Sequence, residues 1–160
     1  GSFADGVRNA LRRKPNIILI GEARDRETIS AAIEAGQTGH AVYTTAHTTG
    51  VSETIRRMIS AFEPEERRER AYALMETMRL IVTQALVPKV GGGRMGVREW
   101  MRFDDQVREK LLDMDFDKWG TEVQRMIPNY GQTMNTSAAK AFEDGLIEKR
   151  HYLMLTGAST

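Results

Sequence analysis

Cysteine is absent from the sequence. That excludes disulfides and thiolate-bound metal, and it is compatible with a reducing compartment. Long apolar runs are missing as well. The longest spans only a few residues, well short of the roughly 20 that a membrane-spanning helix needs, and the start has no apolar stretch of the secretory-signal kind. A dominant charge sign is also lacking: the formal net charge is +1, which gives no electrostatic mark of a nucleic-acid or membrane partner. Finally, no Gly-x-x-x-x-Gly-Lys-Ser/Thr occurs anywhere, so these residues contain no phosphate loop.

What is present suits a globular chain. Of 160 residues, 41% are hydrophobic and 28% charged, and that length fits one compact domain or two small lobes. Phe3, Val7, Ala10 and Leu11 recur at helical spacing, with Pro15 ending the pattern. Ile17 to Ile20 form an unbroken apolar run of the kind that makes a strand buried on both faces. Asp25 is suited to cap a following helix with the stripe Ile29, Ala32, Ile33, which Gly36 can end. The β formers of residues 41–46 predict a second strand and so a βαβ unit. After Gly50 a helix is expected through Ile55, Met58, Ile59 and Phe62. Pro64 is placed for the first turn of another, a long helix carrying Ala71, Leu74, Met75, Met78, Val82 and Ala85 on one face. Residues 86–90 and 95–100 read as strands joined by the glycines 91–93. From about residue 103 the chain is expected to be helical: one helix through Val107, Leu111 and Leu112, one through Trp119, Val123 and Met126 ended by Pro128, then a loop over 129–133 and two short helices. Basic residues cluster at Arg8, Arg12, Arg13 and Lys14 and at Arg67, Arg68 and Arg70, which read as solvated helix faces.

Glu22 carries the sharpest chemical signal. An acid that follows a buried strand and a glycine sits at the carboxyl edge of a parallel sheet, where ligands bind in open α/β folds. Such an acid holds Mg²⁺, often through water, or orients an attacking water. Taken alone it reads equally as a surface glutamate paired with Arg24 or Arg26. His40 and His47 flank the second strand at opposite ends. An imidazole at position 47 would share the sheet edge of Glu22. The separation of the two histidines, with no third ligand, argues against a zinc site, and each histidine alone reads as a half-buried hydrogen-bonding residue.

Taken together, Ile18 to Asp25, Glu27 to Ile29, Ala35 to His40 and Thr44 to Thr49 resemble the secretion-superfamily motor ATPases: pilus retraction motors, type II secretion ATPases and type IV secretion ATPases. Gly21-Glu22 matches their Walker B segment, and Gly39-His40 through His47 their His box. Residues 3–16 resemble the helix leading into Walker B, 91–94 the glycine-rich hairpin, and 136–147 the family's C-terminal end. The likeness is densest over residues 3–50 and thins over 103–135. The spelling Ala46-His47-Thr48-Thr49 is most similar to the type IVB secretion branch. The resemblance implies an α/β fold, the C-terminal part of a RecA-like P-loop ATPase core (residues 1–102) followed by a helical region (103–160). It implies Glu22 and His47 as catalytic residues, Gly21, Gly39 and His40 as nucleotide-binding, and Mg²⁺ held at Glu22 through water. It also implies ATP as the nucleotide, a homo-hexameric ring, and a cytoplasmic place at an inner-membrane secretion or pilus machine.

The departures lead to further expectations. Without a phosphate loop, Asp box and N-terminal domain, the chain by itself is expected to be inactive and to bind no cofactor. A βαβ unit lacking its earlier strands has an open edge, which invites domain swapping or dimerisation. The alternative is a non-catalytic module that binds a partner through the helical region.

Overall fold

The computed structural model describes residues 17–20, 26–39, 41–46 and 50–158, the strands at 17–20 and 41–46 as backbone. The expected helix over residues 3–14 and the Asp25 cap lie outside the described residues.

The apolar run Ile17–Ile20 is strand β1, and Ala41–Ala46 is β2. Between them α1 spans Arg26–Gln37, so the βαβ unit forms as its periodicities predict. Ile29, Ala32 and Ile33 are buried. Gly36 does not end α1, as expected from sequence, but lies inside it. A Cβ there would stand 2.3 Å from the Cβ of Thr77, so the glycine serves the close approach of another helix. The hydroxyl of Thr38 closes the helix instead, donating to Ala35 O at 3.0 Å. Gly39, at φ +89°, then turns the chain into β2, a conformation glycine adopts at no steric cost.

Helix α2, Val51–Ser60, buries Val51, Ile55, Met58 and Ile59, and Phe62 follows it into the core. Pro64 stands in a turn rather than in a helix; α3 begins after it and covers Arg67–Thr77. The long helix expected through Ala85 does not exist. At Met78 the backbone becomes extended (φ −68°, ψ 133°) and strand β3 runs Met78–Pro88. The cause is non-local. Residues 78–83 pair with β2 on one side, and residues 80–88 with β4, Arg94–Arg102, on the other. Two ladders and the β-branched Ile81, Val82 and Thr83 override the helical spacing. Gly91, Gly92 and Gly93 all have positive φ at the hairpin tip.

Beyond Phe103, α4 (Asp105–Leu112) starts at Asp104, whose carboxylate accepts from Val107 N at 2.9 Å. A 3₁₀ turn at Phe116–Lys118 leads into α5, Trp119–Tyr130. The sequence predicts that Pro128 ends this helix, yet it lies inside it. In the last turn a proline forfeits only one backbone bond, and Gly131 N still reaches Ile127 O beyond it. The expected loop over 129–133 contains β5, Gly131–Gln132. Helices α6, Met134–Glu143, and α7, Lys149–Thr156, complete the described chain, with Gly145 at positive φ between them.

The sheet has five strands in the order β1-β2-β3-β4-β5. The first three are parallel and the last two join antiparallel. One core cluster runs from Ile29 to Ile127, so Phe103, Val107, Leu111, Trp119 and Val123 pack with α1, α2 and α3. Trp119 lies near its centre, donating Nε1–H to Leu111 O at 2.7 Å with its ring edge-on to Tyr72 at 5.2 Å. A smaller cluster of Val87, Val97, Met134, Ala138, Ala141 and Ile147 lies under α6. The arginines of α3 are not simply solvated. Arg67 donates to Phe62 O, and Arg70 to Ser30 Oγ while lying over the Phe62 ring. Arg68 pairs with Asp115 at 3.4 Å. Among the described residues no helix is long and apolar enough to cross a membrane.

Candidate functional site

A parallel pair of strands brings its carboxyl ends to one edge. β1 and β2 pair from Ile17↔Ala41 to Ile20↔Thr44. The sequence places Gly21 and Glu22 directly after β1 and His47 directly after β2. Those three residues and His40 lie outside the described residues; the strands that carry the chain to them are neighbours. Gly39 enters β2 from the other end. A parallel strand rises about 3.3 Å per residue, so the two ends of β2 stand roughly 17 Å apart. Gly39 and the edge that leads to His47 therefore cannot meet on one phosphate. Among the described residues no group of three or more His, Asp or Glu is arranged to hold a metal ion.

The row at the carboxyl end of β2 continues across the sheet. Ala46 pairs with Thr83 of β3, and Thr83 pairs with Glu99 of β4. The buried Thr83 hydroxyl donates to Glu99 O at 3.1 Å. The Glu99 side chain is itself buried, at 4% exposure. Its Oε2 accepts from Val51 N at 2.7 Å, and its Oε1 from Met134 N at 3.1 Å. These are the first residues of α2 and α6. A Cβ on Gly50, before α2, would come within 2.6 Å of Glu99 Oε2, so a side chain there would displace the carboxylate. The Gly50 φ of 169° is ordinary extended backbone.

Sequence reasoning passed over Glu99. The signal was available in the alternation of β4, where Val97, Glu99 and Met101 share the buried face. A carboxylate on the inward face of a strand demands partners. The sequence also hides which partners, since they come from residues 48 positions before and 35 after.

On the other side of α2, the Ser52 hydroxyl donates to Gly120 O at 2.9 Å, tying that helix to α5. Lys110 and Arg125 both pair with Glu122, at 2.8 and 2.5 Å, linking α4 to α5. The hydrogen bonds from Arg125 and then Lys110 hold the Glu122 carboxyl down at about 2.

Residues 1–133 match the family model described as type II/IV secretion system protein. The chain is 43% identical over 111 residues to the type IV pilus retraction ATPase PilT of Pseudomonas aeruginosa, covering 69% of this chain and 32% of that protein. The crystal structure of the Legionella pneumophila ATPase DotB superposes with a TM-score of 0.86 at 47% identity, over 99% of this chain and 43% of that one. The pilus retraction motor PilT solved with bound ADP superposes with a TM-score of 0.76 at 33% identity, over 96% of this chain and 43% of that one. The chain thus spans less than half the length of these relatives. The α/β fold with its helical C-terminal region is the one expected from the sequence, and the likeness to DotB agrees with the spelling Ala46-His47-Thr48-Thr49. With the family model matched over most of its residues, the chain belongs to the type II/IV secretion system protein family.

Proposed function

We propose that this chain is the C-terminal portion of a hexameric ATPase that powers type IV secretion or pilus-type transport. One observation carries the reading: the parallel β1–β2 pair ends at one sheet edge, and the residues that follow in sequence are Gly21-Glu22 and His47. Residues 1–102 supply half of a nucleotide site, and residues 103–160 the helical region packed against it. The likeness to PilT and DotB supports this division of labour.

The donor set suits Mg²⁺ and a nucleotide. A carboxylate and an imidazole at one edge offer an oxygen to the waters of a hard cation and a nitrogen to a terminal phosphate. Bound Mg–ATP would supply the electrophilic phosphorus. Glu22 would orient the attacking water and take its proton, and His47 would contact the γ-phosphate. Gly21 would let the backbone approach the phosphates without a side chain in the way. Gly39 and His40 would contact nucleotide from the opposite end of β2. Without a phosphate loop the 160 residues alone would bind no nucleotide and turn over none. The working protein is a homo-hexamer at the cytoplasmic face of an inner-membrane machine.

The test is Glu22→Gln in the full-length protein. Loss of a general base costs about 10²- to 10⁴-fold in turnover, while ATP binding is retained. Wild-type turnover in that variant removes Glu22 from the role.

A further inference from the structure

Glu99 has no part in the proposed chemistry, yet the fold buries its carboxylate. Carboxylates are almost never buried unless paired, and this one is paired with two helix starts remote from each other in sequence. α2 has no side-chain cap of its own, so Glu99 Oε2 takes that place from a distant strand. α6 does have one, since Thr133 Oγ1 accepts from Thr136 N at 3.1 Å. The second oxygen of Glu99 therefore adds to α6 something beyond capping. It fixes Met134 N to the same group that fixes Val51 N.

The sheet row gives this link a direction. The chain leaves β2 at Ala46, which is aligned through Thr83 with Glu99. It returns at Val51, whose amide is held by Glu99. The segment of residues 47–49 is thus flanked in sequence by Ala46, held in the sheet row that includes Glu99, and by Val51, held by the Glu99 side chain. A shift of Val51 N cannot occur without either breaking a charge-assisted bond or moving Glu99. Moving Glu99 moves its bond to α6.

We infer that Glu99 is a positioning residue: it ties the start of α2, which follows His47 in sequence, to the start of α6, so that a change at the nucleotide edge is passed to the C-terminal helices. The inference rests on the reading of His47 as a nucleotide contact. It gives Gly50 a role as well, as the space into which the carboxylate fits.

The experiment uses the full-length protein. Glu99→Gln keeps the volume but offers a single acceptor for two N–H groups. Gly50→Ala leaves Glu99 intact and pushes its Oε2 away, because the new Cβ would lie 2.6 Å from it. Thr133→Ala weakens the α6 cap without touching the link. Each is assayed for ATPase kcat and KM, with amide exchange at Val51 and Met134 followed with and without ATP in a Glu22→Gln background. We expect Glu99→Gln and Gly50→Ala each to lower kcat by about 10-fold or more with KM changed less than about 3-fold. The double variant should fall no further than the worse single one, because both break one contact. Thr133→Ala should stay within about 2-fold of wild type. Nucleotide should alter exchange at both amides together in the parent, and at Met134 no longer when Glu99→Gln is added. Wild-type kcat in Glu99→Gln overturns the inference, as does an equal loss in Thr133→Ala or a Met134 response that survives Glu99→Gln. If Glu99→Gln does not assemble, the same readings on Gly50→Ala decide. Glu22→Gln and His47→Ala are run alongside. Turnover kept in both overturns the nucleotide-site reading and this inference with it, whereas turnover lost there but kept in Glu99→Gln overturns the inference alone.

Discussion

A methyl group placed on Gly131 probes the junction between the sheet and the helical region. Gly131 pairs with Met101 and its neighbour Gln132 with Trp100, the only two rungs that β5 contributes. An added Cβ would meet Trp100 O at 1.9 Å, Trp100 C at 2.7 Å and Met101 Cα at 2.8 Å. All three are backbone, so no side chain can swing aside. Relief requires β5 to withdraw from β4 by more than about 1 Å, as overpacked backbone contacts do when strain exceeds what rotamers absorb. The losses are the β5 hydrogen bonds, at about 1 kcal/mol each, and the distortion of the end of α5, at about 1–3 kcal/mol. Gly131→Ala should therefore destabilise by about 3–4 kcal/mol. With a urea slope of about 2 kcal/mol per molar for a domain of this size, the midpoint should drop by about 1.5–2 M. Trp100 beside the clash and Trp119 in the core are the only tryptophans, so fluorescence reports both places. Gly93→Ala is the contrast. Its φ is +78° with nothing within 4 Å of the new Cβ, so it should cost only about 1–2 kcal/mol of backbone strain. A midpoint for Gly131→Ala equal to wild type, or a loss no larger than that of Gly93→Ala, refutes the reasoning.

Trp119→Phe should lower stability by about 2–3 kcal/mol, because it shrinks a buried ring and leaves Leu111 O without its donor. A drop of several degrees in thermal midpoint checks it. The Glu122 carboxyl is held at about 2, below its ordinary 4.5. A depressed folded-state value means its stabilisation is complete above 4.5 and fades as pH falls toward 2. Urea midpoints taken through that window should fall less steeply in Glu122→Gln than in wild type; parallel curves would count against the assignment.

Local pattern made part of this fold legible. The run at 17–20, the stripe Ile29–Ala32–Ile33, the strand at 41–46 and the glycine hairpin are each specified by neighbours in sequence, and each forms. Two of the failures involve partners from far away. Met78 turns to strand because β2 claims its backbone and β4 claims that of the residues from Leu80 on. Gly36 stays helical because Thr77 needs the space. Pro128, by contrast, stays helical for a local reason: in the last turn it forfeits a single backbone bond. Of the candidate site, the strand ends that lead to Glu22 and His47 were readable from β propensity alone. The inward place of Glu99 was readable from the alternation of β4, but its partners were not, because they are two amides that only the folded chain brings to it.

The core cluster from Ile29 to Ile127 also constrains how the chain is made. A ribosome delivers roughly 5–20 residues each second, so the βαβ unit emerges seconds before Val107, Trp119 and Ile127 arrive to cover it. During that interval the inward faces of α1, α2 and α3 lack their lining from α4 and α5, and nascent-chain binding should centre on them. Release from a chaperone is expected to coincide with the emergence of α5 rather than with completion of β4, which makes the helical region the timing element of synthesis.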